Sequence, residues 1–377
     1  MTSNESFDAN AYRQKLIDKG LDPDAAADVA TRLAESYLAS GYAPATPDAT
    51  AQKEPSSSSK PDSTAPGPTA SKKTKKAVPD KGMSKRDKQL VQAGIDISGS
   101  APGGDQMTFM HTIMCQVGLP RSKVDGLEFE RISGAVGLHV RAGKLWDGQK
   151  FVQQPIPYGP MPRLVMAYLN TQALRHRSPE VEVGHSASDF MRRLGKDPHG
   201  GRNGSYTMFR KQITALSACH MTIGCTIGQT AYTYDGKPIK QFEAWLTSPD
   251  GDQRSFWPGV VTFSEEYFKT LCEHAVPLDI RAMQALKGSA LAMDTYAMLA
   301  ERLHRIQGRP VIVHWKSLRE QFGQEYNSGK EPDKIFKANF LPALKKVLTV
   351  YPAARVKQVK GGIMMQASPP PVPYKPT

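Results

Sequence analysis

Between residues 161 and 228 the spacing of apolar residues changes several times. MPRLVMAYLNTQALRHR (161–177) repeats them at helical intervals, and EVEV (180–183) reads as a short strand. A polar helix start, HSASDFMRRLGK, then runs through a glycine-rich stretch into a second helical pattern, SYTMFRKQITALSA (205–218). MTIGCTIG (221–228) reads as a strand, and so do AYTYD and QFEAWL around Asp235-Gly236, a dipeptide suited to a tight hairpin turn. The same order returns in LAMDTYAMLAERLHRIQ (291–307), PVIVHW (310–315), KSLREQFGQEY (316–326), DKIFKANFLPALKKVLTVY (333–351) and ARVKQVKGGIMMQA (354–367). Helix, strand, helix, loop, helix, hairpin is the order of a winged helix. The expectation is an α+β fold of two tandem winged-helix domains, residues 105–260 and 261–370.

Upstream the pattern weakens. Residues 9–40 read as two short helices with a break at Gly20–Pro23, giving a small helical segment over 1–40. Proline, serine, alanine and lysine dominate 41–83, too little apolar surface to fold, so a disordered linker is expected over 41–104. Residues 371–377 read as a disordered tail.

Charge sharpens this picture. The net charge is +13, and residues 1–100 are nearly balanced, so almost all the excess falls on the patterned part. Such an excess favours a polyanionic partner, because lysine and arginine contacts release counterions condensed on nucleic acid. A helical projection of 333–351 puts Phe336, Phe340, Leu341, Leu344, Val347 and Leu348 on one side. Lys334, Ala338, Asn339, Lys345 and Lys346 fall on the other, with Lys337 nearer the apolar side, where its stem can snorkel to a phosphate. Lysine and asparagine suit base edges, and alanine suits a thymine methyl. Pro342 is expected to kink or divide this helix. Arg355, Lys357 and Lys360 on the closing hairpin suit a phosphate backbone. On the earlier helix Phe209, Ile213 and Leu216 mark the core side, and Thr207, Arg210, Lys211 and Thr214 the opposite one. That shorter face, with Arg202 in the preceding loop, fits phosphate positioning better than base reading.

The stretch KDPHGGRNGSYT lacks the lysine after its glycines and the buried strand before them that a P-loop needs, so its glycines read as a turn between helices. The nine histidines form no HxH or HxxxH pair, there is no GxSxG, and Cys115, Cys219, Cys225 and Cys272 match no zinc spacing. No catalytic residue, cofactor or metal is expected, nor any enzyme activity. No apolar run reaches membrane-spanning length, so a cytoplasmic protein without a membrane partner is expected.

Four stretches carry a family resemblance: FERISGAVGLHVRAGKLWDGQKFVQQPIPYGPMPRLVMAYLNTQAL, SASDFMRRLGKDPHGGRNGSYTMFRKQ, VPLDIRAMQALKGSALAMDTYAMLAERL and FLPALKKVLTVYPAARV. Together they span roughly residues 108–370, and the chain there resembles the plasmid-encoded RepA family of replication initiators. The resemblance implies binding to direct repeats (iterons) in a plasmid origin, opening of adjacent A·T-rich DNA, and recruitment of a host initiator ATPase and replicative helicase. It also implies monomers at the origin and homodimers at the protein's own promoter. The alternative is a dimeric winged-helix repressor with no role in initiation.

Overall fold

The computed structural model describes residues 84–373 apart from 147–148, 185, 202–203, 228–229, 242–259 and 327–330, together with Gln14 and Pro23. Val78–Thr377 is one compact unit of mixed α+β structure. The helical segment expected over 1–40 and the linker as far as 83 lie outside the described residues.

Order returns earlier than the sequence suggested. Helix α1 occupies Lys85–Gly99, inside the stretch read as linker. Ser84 caps it, its Oγ accepting from the Asp87 amide at 3.2 Å. Only Leu90 and Gly94 of α1 are buried, so it carries too thin an apolar stripe to stand out by periodicity.

Strand β1 (Met107–His111) leads into α2 (Thr112–Gln116), the hairpin β2 (Glu128–Ser133) and β3 (Val136–Arg141), and the small hairpin β4 (Lys144–Trp146) and β5 (Phe151–Gln153). The first repeat follows: α3 (Pro160–His176), β6 (Glu180–Glu182), α4 (Ala187–Arg193), α5 (Ser205–Ala218), β7 (His220–Ile227), β8 (Thr230–Gly236), β9 (Ile239–Gln241) and β10 (Val260–Phe263). After α6 (Glu265–His274), β11 (Ala275–Asp279) and α7 (Ile280–Ala285) comes the second repeat. It comprises α8 (Ala290–Arg302), β12 (Val311–His314), α9 (Trp315–Phe322), α10 (Pro332–Val350), β13 (Val356–Val359) and β14 (Gly362–Met365).

The two repeats close differently. In the second, β12, β14 and β13 form one antiparallel sheet, and the Trp315 amide is tied to the Gly361 carbonyl at the hairpin turn. In the first, β6 pairs with β10 rather than with the β7–β8 hairpin, which joins β2 and β3 in a four-stranded sheet. Asp235-Gly236, expected at a hairpin turn, instead ends β8. The cross-strand pairing of Asp235 with Thr222, whose hydroxyl donates to it at 2.6 Å, holds it there. Of QFEAWL, all but Gln241 lies outside the described residues.

A boundary at 260 also fails. β10 completes the sheet of the first repeat, and β11 pairs across the molecule with β1. One continuous apolar core runs through both repeats. At their junction the buried Arg163 of α3 donates to both oxygens of the buried Asp294 on α8, at 2.5 and 2.7 Å, and to the carbonyls of Leu119 and Gly159. Arg121 and Arg131 both reach Glu325. Burial pushes the Glu325 carboxyl up, but the two guanidiniums outweigh it and hold the group below its ordinary value. A buried pair with its donors this fully used fixes geometry more than it adds stability. The chain also stays packed past residue 371: Val372 is buried, and Tyr351 donates to the Pro369 carbonyl.

Candidate nucleic-acid interface

Helix α10 carries an exposed basic face. Pro332 opens it, and Asp333 in its first turn accepts from Arg319 of α9 at 2.5 Å, which pins the two helices together. Phe336, Phe340, Ala343, Leu344, Val347 and Val350 are buried, while Leu341 and Leu348, expected in the core, are only half-buried. Opposite them Lys334, Ala338, Asn339, Lys345 and Lys346 are all exposed. Lys334, Ala338 and Lys345 form one stripe, at spacings of four and seven residues, and Asn339 and Lys346 line the stripe beside it. Lys334 lies 2.8 Å from Glu331, but both are solvent-exposed, so the pair is weak and easily exchanged for another anion. The Asn339 amide donates one N–H back to the Ile335 carbonyl at 2.9 Å, which leaves its second N–H and its oxygen to bond elsewhere.

Pro342 does not divide α10, which runs unbroken from Pro332 to Val350. The ring sits on the exposed side, where solvent satisfies the backbone carbonyl it frees. Lys337 is half-buried, and its ammonium lies over the Trp315 ring, 5.4 Å from the centroid. The sequence reading also missed Ile335, a 44% exposed apolar side chain between the two polar stripes. Its position one residue after Lys334 was the available signal.

The far end of the open face is covered. α1 crosses it so closely that a Cβ on Gly94 would sit 2.4 Å from the Thr349 carbonyl oxygen. The accessible face therefore runs over about the first four turns and stops near Lys345 and Lys346. The β13–β14 hairpin, which follows α10 in the chain, exposes Arg355, Lys357 and Lys360. Its two-residue tip is Lys360-Gly361, and Gly361 takes φ +90°, a left-handed conformation suited to glycine.

Helix α5 offers less. Phe209, Ile213 and Leu216 are buried as expected, and so are Ala215, Ser217 and Ala218, which leaves its last turn no open side. Thr207 and Lys211 are exposed, Arg210 and Thr214 half-buried. Both hydroxyls already donate to backbone, Thr207 to Gly201 at 2.9 Å and Thr214 to Arg210 at 2.5 Å and Lys211 at 3.2 Å. Met208, also missed from sequence, is 40% exposed on this face. Arg202 lies outside the described residues. The glycine-rich stretch before α5 forms a turn folded on itself: the Ser205 hydroxyl donates to Asp197 and accepts from the His199 amide. A Cβ on Gly204 would come within 2.2 Å of the His199 carbonyl. The side-chain set of the two helices is thus split between one open face and one half-closed face.

Residues 156–316 match the family model described as plasmid encoded RepA protein. The resemblance read from the sequence holds over that stretch. The match runs from just before α3 into the start of α9, so it takes in α5 and its turn and ends ahead of α10 and the β13–β14 hairpin. A crystal structure of domains 2 and 3 of RctB aligns with 68% of this chain and 98% of its own at 12% identity and a TM-score of 0.41, too distant to define fold or function here. No curated protein matches the chain. Among the described residues, no helix is long and apolar enough to cross a membrane.

Proposed function

We propose that this chain initiates plasmid replication by binding directly repeated duplex sites at the origin through two winged-helix units, one in each repeat. The observation that carries the reading is the exposed run Lys334, Ala338 and Lys345 along α10, followed in the chain by a hairpin that exposes Arg355, Lys357 and Lys360. A helix laid in the major groove with a hairpin along the adjacent backbone uses both. The RepA match over 156–316 supports initiation rather than simple repression. In this reading α10 reads bases and α5 positions the protein on phosphates. The energy for opening A·T-rich DNA comes from binding and distortion, without a catalytic step. The host initiator ATPase and replicative helicase are the partners that would follow.

Footprinting on the parent plasmid's origin tests this. Regularly spaced protection of direct repeats, abolished in Lys334→Ala/Lys345→Ala, is the expected outcome. Protection of a single palindrome moves the protein to the dimeric repressors, and absence of specific protection removes the reading.

A further inference from the structure

A second basic cluster, which shares Lys346 with the end of the exposed face of α10, lies where α1 meets both repeats. A cleft of about 410 Å³ opens there, within the size range of ligand pockets. Arg86 of α1, Lys196 from the turn after α4, Lys287 from the turn after α7, and Lys346 of α10 all line it. These four cations come from four separate segments, so no single sequence pattern gathers them.

The lysines are built into position rather than left on a solvated surface. The Lys196 ammonium donates to the Lys287 carbonyl at 3.4 Å, and the Lys287 ammonium donates in return to the Gly195 carbonyl. Each keeps further N–H donors. Gly195, at φ +67°, seats this turn so tightly that a Cβ would lie 3.2 Å from the Gln284 side chain. The Arg86 guanidinium lies over Gly288, with Nη1 4.0 Å from where a Cβ on that glycine would stand. Gly288 and Ser289, the cap of α8, also line the cleft and bring the positive end of that helix to it.

Acids nearby do not neutralise the cluster. Asp87 and Asp96 line the cleft and keep their charge, hydrogen-bonded to the Ser84 hydroxyl and the Gln92 amide, so the four cations exceed the acids on the wall by two. Arg281, also on the wall, is taken by Asp279 at 2.7 Å. Among the described residues, no carboxylate lies within ion-pair distance of Arg86, Lys196, Lys287 or Lys346. Burial first, then the neighbouring Lys287 and Arg86, hold the Lys196 ammonium below its ordinary value. Gathering like charges is unfavourable unless a counter-charge joins them.

We infer that this cleft is a binding site for a phosphate-bearing anion, held by Arg86, Lys196, Lys287 and Lys346. The chemistry is the same whether the phosphate belongs to a duplex backbone or to a small molecule; only the duplex source rests on the proposed function. Filling the site ties α1 to both repeats at once. Phosphate occupancy thereby stiffens the support behind the last turns of α10.

Position-resolved amine acylation of the full chain, read by mass spectrometry, tests the inference. Inorganic pyrophosphate and a duplex of unrelated sequence serve as probes, and sodium chloride at equal ionic strength is the control. Pyrophosphate is expected to slow acylation of Lys196 and Lys287 several-fold relative to the chloride control. Arg86→Gln/Lys346→Gln, whose side chains lie at the cleft edge, should lose that protection while keeping the wild-type melting temperature. Arg86→Gln alone provides the same test if the double variant melts early. Protection by both probes, or by the duplex alone with binding confirmed by gel shift, places a backbone phosphate in the cleft. Protection by pyrophosphate alone assigns a small anion, and it upholds the site even if no duplex binds and the initiator reading fails. Equal protection by chloride, or none by either probe, overturns the inference.

Discussion

Helices α5 and α10 occupy the same place in their repeats and end in opposite ways. The last turn of α5 sinks into the core, with Ala215, Leu216, Ser217 and Ala218 all buried. The last turns of α10 stay clear of its own repeat on the outward side and are covered by α1, a helix from upstream of both repeats. One open face is therefore cut short by its own fold. The other is cut short by a separate element that a substitution can remove. The sheets follow the same division: β12, β13 and β14 close on one another, whereas the β7–β8 hairpin is drawn off to β2 and β3. A repeat that closes on itself keeps its hairpin in its own sheet. One that shares its hairpin with other strands trades reach for attachment to the body of the protein.

The largest expected effect is on the α10 side. Replacing Lys334, Lys345, Arg355 and Lys357 together with alanine should lower duplex affinity on the order of 100-fold and flatten the salt dependence by about 3–4 units of slope. Fluorescence anisotropy across a salt series measures both, and an unchanged slope would reject this docking face. Gly94→Val, which forces a side chain into the Thr349 carbonyl, should cost about 1–3 kcal/mol in denaturant unfolding. Duplex affinity should move far less than in the quadruple variant; full stability would mean that α1 does not pack on α10. The smallest effect belongs to α5. Thr207→Val/Lys211→Ala should change the salt slope by about one unit or less, because one cation is lost. A loss there as large as the α10 result would invert the assignment of reader and positioner.

Much of this contrast was legible in the residues. The bounds of α5 agree with the helical pattern of 205–218 to the residue, and α10 with 333–351 to within one. The apolar stripe that defines a helix's buried side also defines its open side, so the exposed lysines of α10 followed from spacing alone. Non-local pairing did not. Nothing near β6 tells that it will bond to β10 rather than to the hairpin, because strand choice depends on β2 and β3, which precede the repeat. α1 was passed over because its contact with α10 is made by a glycine, which adds nothing to hydrophobic periodicity. The local signal was Ser84 with Asp87 three residues on, a helix-start pattern embedded in lysine-rich sequence. The cleft cations escaped for the same reason as the sheet: Arg86, Lys196, Lys287 and Lys346 are neighbours only in three dimensions.

The pairing of β1 with β11 has a consequence for the chain while it is being made. β1 leaves the ribosome on the order of 160 residues before its partner strand. At about 5–20 residues per second, that leaves it unpaired for roughly 10–30 s. The first repeat is made within that interval, and until β11 follows, the open edge of β1 is a template for any other extended chain nearby. Synthesis speed between the two strands, and the crowding of neighbouring ribosomes on one message, thus bear on how much of this protein reaches its folded form.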